Sequence, residues 1–425
     1  MDKNKIMVDL GRIKETMLAN DIFGPITPRL TVTMDHEIDD ELIVKAWERT
    51  KRVYPVIDAV LGFECEDPSV YMDAKKAEEH LTEHLYLMYP EGGENKPLKS
   101  KVPVKAGTPA FGGRLIGISY YRRDIFITAY HTLVDGGGLG MVAKTFLYSY
   151  LALYTGHEDE HPVVELEEGR KVEDYYSGIT QKLVFETEYT PVELYSLPYH
   201  CDGFFDKDMV REDGHVRIGS IYISQPEFIA FCKKNKANPS SMMCALLAKA
   251  AYALNPEEKR DIIFTLTVAS RSLFGLDKSI ANCVGLAVSY ATREELEGRS
   301  LAEIAGRIRK EVDTQRTLDY YVSFGKVFAT YKHDMQGKKR IVTYMGNIDI
   351  GDNTGHLVDV NMATFSYSNL YLVQLNDRFI LTLMYGKATE KYLKEFLRIF
   401  DELGIHAGPD LEVQEAMNGA EKPVL

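Results

Sequence analysis

Three scarcities narrow the reading of this 425-residue chain before any motif is considered. No run approaches the roughly 18 consecutive apolar residues of a membrane-spanning helix, and the opening Met1-Asp-Lys-Asn-Lys5 lacks the apolar core of a secretory signal; the expected location is the cytoplasm. Positive charge is short: 50 Lys and Arg against 63 Asp and Glu leave a net charge of −13. Phosphate binding needs a basic footprint, so nucleic acid is not the expected partner. Cysteine is scarce too. Cys65, Cys201, Cys232, Cys244 and Cys283 are odd in number and scattered without metal-ligand spacing, which leads us to expect reduced, buried thiols.

Several catalytic signatures are missing as well. There is no Gly-x-Ser-x-Gly elbow and no Gly-Lys-Ser/Thr phosphate loop. Glycines 136, 138 and 140 follow a strand, but the third glycine of a dinucleotide fingerprint fails at Met141, and no second strand with an acidic end follows within about 20 residues. His157-Glu-Asp-Glu-His161 matches a zinc-protease string, yet that string needs a helix to put both histidines on one face. Gly156 before it and Pro162 after it make it a loop, so no metal site is expected. What is present is ordinary for a globular protein, 45% hydrophobic and 27% charged, with length for two domains that each bury a core.

The informative segment is Tyr130-His-Thr-Leu-Val-Asp-Gly-Gly-Gly138. Asp124 to Tyr130 is rich in β-branched and aromatic residues and reads as a strand. After it, Leu139, Val142, Ala143, Phe146, Leu147, Tyr150, Leu151 and Tyr154 recur at helical spacing, predicting about four turns of helix. His131 thus stands on a short turn between two rigid elements, which suits a general base that must hold its distance to a proton. Gly136 to Gly138 are expected to supply backbone conformations closed to other residues.

Two halves are also visible. Leu30 to Met34 reads as a strand leading to a helix around Leu42 to Arg49; Ser220 to Ser224 leads likewise to a helix around Pro226 to Lys234. Asp377 to Tyr385, followed by a helix from about Glu390 to Phe400, looks like a second copy of the strand and helix that flank His131. Aligning Tyr385 with Tyr130 sets Gly386 against His131, so one half has a base and the other does not. The predicted division is 1–160, a crossover over 161–205, and 206–425; the acidic stretch from Glu158 to Glu168, which leads into the crossover, is expected to be solvated.

On these residues the chain resembles the CoA-dependent acyltransferase superfamily that includes chloramphenicol acetyltransferase, alcohol acetyltransferases and the condensation domains of nonribosomal peptide synthetases. His131, Asp135 and Gly136 match its His-x-x-x-Asp-Gly motif. Pro109 to Ile116, Ile38-Asp-Asp-Glu-Leu42 with Arg52-Val-Tyr-Pro55, and Ser270-Arg271 with Asn282-Cys-Val-Gly285 fall in the family's order, so most of the chain is covered. Condensation domains usually carry a histidine where this chain has Tyr130. The plant-type Asp-Phe-Gly-Trp-Gly signature is missing, and Tyr344-Met-Gly-Asn347 occupies its neighbourhood.

The resemblance implies an α/β fold of two chloramphenicol-acetyltransferase-like subdomains, a pseudo-dimer with the active-site tunnel at their interface. It implies direct transfer of an acyl group from acyl-CoA, or from a carrier-protein thioester, to an alcohol or amine, with His131 as general base. Acyl-CoA is a co-substrate, and no permanently bound cofactor is expected. Asp135 is implied to pair with Arg271 as a structural element at the site. Candidates for holding the oxyanion or the substrate are the backbone N–H groups of Gly136 and Gly137 and the hydroxyls of Ser289, Tyr290, Ser366 and Ser368. The reading from another class is a non-catalytic protein that uses the cleft for a ligand or carrier protein.

Overall fold

The computed structural model describes residues 5–7, 27–63, 85–88, 95–131, 133–169, 186–192, 203, 204, 206, 218–330, 340–364 and 369–409. A small sheet joins β1 (Lys5–Met7), β3 (Val60–Phe63) and β4 (Leu85–Met88) in the order β1-β4-β3. A five-stranded sheet contains β2 (Arg29–Met34), β5 (Leu98–Lys99), β6 (Ile116–Tyr121), β7 (Asp124–Ala129) and β12 (Leu357–Ala363), in the order β12-β2-β7-β6-β5. A seven-stranded sheet contains β8 (Gly219–Ser224), β9 (Ile262–Ala269), β10 (Val284–Ala291), β11 (Arg340–Asn347), β13 (Asn369–Leu375), β14 (Arg378–Met384) and β15 (Ala407–Gly408), in the order β10-β9-β11-β13-β14-β8-β15.

The two large sheets repeat one plan. In the first, β2 pairs antiparallel with β7, β7 antiparallel with β6, and β6 parallel with β5. In the second, β8, β14, β13 and β11 stand in the same relations. A helix follows the central strand in both. These are α2 (Gly136–Thr155) after β7 and α8 (Thr389–Glu402) after β14, the latter past a turn of 3₁₀ helix at Gly386–Ala388. Tyr385 and Gly386 occupy the place of Tyr130 and His131, as the internal alignment anticipates.

The halves are not independent. β12 lies late in the chain, yet it pairs along its length with β2 of the first sheet, Val360 opposite Val32 and Met362 opposite Leu30. It also packs on β13 and β14 of the second sheet. The repeat pattern did not reveal this exchange, because β15 fills the equivalent position beside β8 from within its own half.

Each sheet is covered on one face by helices. α1 (Asp40–Val53) and α2 cover the first; its N-cap Asp39 accepts from the N–H groups of Glu41 and Leu42 at 2.9 Å, and Lys51 and Arg52 in its last turn complement the helix dipole. Trp47 of α1 meets Phe146 of α2 edge-on, 5.8 Å between ring centres, and both are fully buried. Such a side chain contributes roughly 1.5–3 kcal/mol of burial free energy. α2 is 20 residues long, about a turn and a half longer than its apolar stripe predicts, and even Thr145 and Ser149 on it are fully buried. The second sheet packs Ile221, Ile223, Phe264 and Leu381 against α3 (Gln225–Lys234), α4 (Pro239–Leu254), α6 (Leu301–Thr314) and α8; α5 (Arg293–Gly298) and α7 (Leu318–Thr330) complete the helices among the described residues. No helix of the described residues is long and apolar enough to cross a membrane.

Candidate active site

β7 ends at Ala129, α2 begins at Gly136, and between them His131 and Leu133 lie in a turn. His131 lies half-buried in this turn, its Nδ1 2.9 Å from the carbonyl oxygen of Val134. A carbonyl can only accept, so Nδ1 carries the proton, and the lone pair of the neutral ring is on Nε2. A backbone carbonyl, and not a carboxylate, sets the tautomer. Asp135 turns the other way, caps α2 by accepting from Gly138 N–H at 2.8 Å, and is almost wholly buried.

The second half closes over this turn. Arg271 Nη2 donates to Asp135 Oδ1, and the same guanidinium donates to the carbonyls of Ser279 at 2.7 Å and Ala281 at 2.9 Å. Cys283 N–H donates to Asp135 Oδ2 at 2.8 Å. Asn282 grips the backbone at both ends: its side chain donates to the His131 carbonyl at 2.6 Å and its own N–H to the Leu133 carbonyl at 2.8 Å. Val134 and Ala281 add a β-bridge. The sequence reading named Arg271 and missed Asn282 as a clamp, although Asn282 stands in the quoted Asn-Cys-Val-Gly string.

The three glycines require a correction. None of Gly136, Gly137 and Gly138 is among the residues with positive φ, so backbone freedom is not why they are glycine. Each marks a close approach by the second half. A Cβ on Gly138 would lie 2.0 Å from the carbonyl oxygen of Ile280, one on Gly137 2.8 Å from Arg271 Nη1, and one on Gly136 2.8 Å from Met345 Sδ. Met345 falls where the β11–β13 register slips between Tyr344 and Gly346, a bulge that places it against the start of α2. The Tyr344-Met-Gly-Asn347 string thus reaches the site.

The remaining candidates divide. Gly136 and Gly137 open α2, where first-turn N–H groups have no intrahelical acceptor. Ser289 and Tyr290 are not brought to the turn: they lie five and six residues along β10 from Val284, about 16 Å or more at strand rise. Ser289 Oγ donates to Glu311 at 2.6 Å, and the Arg307 guanidinium covers the Tyr290 ring at 4.7 Å. Ser366 and Ser368 lie outside the described residues, as do Cys65 and Cys201. Burial pushes the Cys232 thiol up to about 12 and raises Cys244 as well, so both stay protonated. Cys283 is buried behind Asp135. α2 ends at Thr155 with Gly156 left-handed, so His157 and His161 are off the helix, and His157 pairs instead with Asp352 at 3.1 Å. The stretch after it is exposed but tied to α1, Glu158 to Arg49 at 2.7 Å and Glu168 to Arg52 at 3.0 Å.

No protein-family model matches the chain, and no curated protein matches it by sequence. Solved structures do. The first condensation domain of the calcium-dependent antibiotic synthetase, in complex with a substrate analogue, superimposes with a TM-score of 0.61 at 12% identity, over 93% of this chain and 95% of that one. F. sporotrichioides TRI101, complexed with coenzyme A and T-2, gives 0.60 at 9% identity, over 95% and 100%. Polyketide synthase associated protein 5 from Mycobacterium tuberculosis gives 0.59 at 12% identity, over 91% and 95%. The fold is the chloramphenicol-acetyltransferase-like one. In this fold the chain is a pseudo-dimer, and the His131 turn lies on the seam between its halves.

Proposed function

We propose that the protein is an acyltransferase that passes an acyl group from a thioester, coenzyme A being the donor, directly to an alcohol or amine, with His131 as general base. One observation carries this reading: the Val134 carbonyl fixes the proton of the neutral His131 ring on Nδ1, which puts the ring's lone pair on Nε2, on a turn that both halves hold. Coenzyme A bound in the similar structures of F. sporotrichioides and F. graminearum TRI101 supports the choice of donor. In the reaction Nε2 takes the acceptor's proton as its oxygen or nitrogen bonds to the thioester carbon; the tetrahedral oxyanion collapses, the C–S bond breaks, and the proton passes to the thiolate. The N–H groups of Gly136 and Gly137, at the positive end of α2, are the donors we assign to the oxyanion. Asp135 and Arg271 act on the backbone that holds His131, not on substrate. The working division is 1–160, 161–205 and 206–425, with β12 exchanged into the first part.

The test is a screen of the purified protein with short and long acyl-CoAs against pooled alcohols and amines, reading free thiol. Acceptor-dependent thiol release supports the proposal. Binding of acyl-CoA without turnover by any pool would favour a binding protein.

A further inference from the structure

The face of the five-stranded sheet turned away from α1 and α2 carries a cation that no carboxylate of the described residues pairs with. Along β2, Leu30, Val32 and Met34 enter the core with the helices, so Arg29, Thr31 and Thr33 project to the opposite face. Register places Thr128 of β7 on one side of Arg29 and Ala363 of β12 on the other. This face looks at the seam: Asp359, in the same row of β12, accepts from the Tyr222 hydroxyl of the second sheet at 2.8 Å.

Other deep arginines each hold at least one acceptor, Arg114 the Gly112 carbonyl at 3.0 Å and Arg340 the Phe204 carbonyl at 2.7 Å. Arg271 makes three hydrogen bonds to Asp135 and to two carbonyls. Arg29 makes none with the described residues; its Nε is buried without a partner, and so is the hydroxyl of Thr31 two residues along the same row. The residue as a whole is nevertheless only partly buried, so part of it stays accessible while Nε is enclosed. Burial alone pushes Arg29 down to about 10, which still leaves it charged at neutral pH. A charge in such surroundings costs stability unless something pairs with it.

We propose that Arg29, with the Thr31 hydroxyl beside it, is a carboxylate-binding subsite, so that one of the two groups brought together in the transfer carries a carboxylate. This rests on the acyltransferase reading for its role, though not for its existence. His131 is three residues beyond Thr128, no more than about 10 Å of chain. The anion is therefore on the reacting portion of a substrate: a hydroxy or amino acid acceptor, or the free carboxylate of a dicarboxylic acyl group. A planar fork of N–H donors suits a carboxylate better than a lysine would.

The experiment is thermal unfolding of the full chain as wild type, Arg29→Met and Arg29→Lys, alone and with matched probes. The acceptor arm sets 3-hydroxybenzoate, 4-hydroxyphenylacetate, lactate and serine each beside its methyl ester; the donor arm sets succinyl-CoA and glutaryl-CoA beside butyryl-CoA. Without ligand, Arg29→Met should unfold at the wild-type temperature or higher, since an unpaired charge is removed. At least one carboxylate should raise the wild-type midpoint by about 2–4 °C over its neutral partner. That difference should shrink in Arg29→Lys and vanish in Arg29→Met. Which arm responds tells acceptor from acyl group. A lower midpoint for ligand-free Arg29→Met would mean a structural arginine and overturn the proposal. So would equal protection by acids and esters, no protection at all, or Arg29-dependent protection by adenosine 3′,5′-bisphosphate, which would put a nucleotide phosphate there. His131→Ala should keep the carboxylate effect. Arg29-dependent protection in a protein that never releases thiol would leave this site standing while the acyltransferase reading fell.

Discussion

Breaking the pair between Asp135 and Arg271 should do more damage than the loss of any single contact suggests, and the excess can be measured. Removing Arg271 leaves the buried Asp135 carboxylate with only the N–H groups of Gly138 and Cys283; stranding a buried charge costs about 3–5 kcal/mol. Removing Asp135 strands Arg271 and also deletes a helix cap, worth about 1 kcal/mol, so Asp135→Ala should cost about 4–6 kcal/mol. Each single variant carries the penalty of the charge left behind, and the double variant carries neither. It should therefore be less destabilised than the sum by about 2–3 kcal/mol. The assay is urea unfolding followed by the fluorescence of Trp47, the sole tryptophan, which is buried between α1 and α2. Midpoints are compared at equal slope. Additivity within about 0.5 kcal/mol would mean that the two side chains do not depend on each other, and the account of the seam would fail.

Three further outcomes follow from the geometry. Gly138→Ala drives a methyl into the Ile280 carbonyl, which should cost about 1–3 kcal/mol and, by displacing the His131 turn, about 100-fold in turnover. Gly140→Ala, with nothing within 4 Å, should leave turnover unchanged and gain up to about 1 kcal/mol; equal effects in the two unfolding and rate measurements would refute the close-approach argument. Desolvation raises the Asp359 carboxyl above its ordinary range despite the Tyr222 and Asn361 hydrogen bonds. As pH rises, the unfolded carboxyl ionises first, so this residue's contribution is full below the unfolded value and declines through the folded one. Asp359→Asn should thus unfold later than wild type at pH 7, with the gap closing toward pH 4; a gap that widens on acidification contradicts the sign. Intact-protein mass spectrometry after incubation with acyl-CoA alone should show no stable adduct, and initial-rate patterns should intersect, whereas an adduct abolished by changing one Cys or Ser would mean a covalent route.

How far the sequence carried these conclusions depended on the range of each signal. The strand before His131 and the helix after it were legible because both have strong local periods, and the second copy at Arg378–Glu402 was legible for the same reason. The exchange of β12 was not, since strand pairing across more than 300 residues leaves no local trace. Read locally, the glycine run signals a need for positive φ, but the demand here is space for Ile280, Arg271 and Met345, none of them near in sequence. Ser289 and Tyr290 read as candidates because they are polar groups on an interface strand, yet the position along β10 decides, and it is the Val284 end that adjoins Asn282 at the turn. Arg29 gave no signal because an arginine opening a strand reads as solvated until the face it projects from is known.

The most direct measurement of the central claim is the turnover of His131→Ala beside wild type, with whichever donor and acceptor the thiol screen identifies, together with its urea unfolding curve. The account predicts an unchanged unfolding midpoint and a rate lower by about 100- to 10,000-fold, the range for losing a general base. A folded variant that turns over at near the wild-type rate would contradict it.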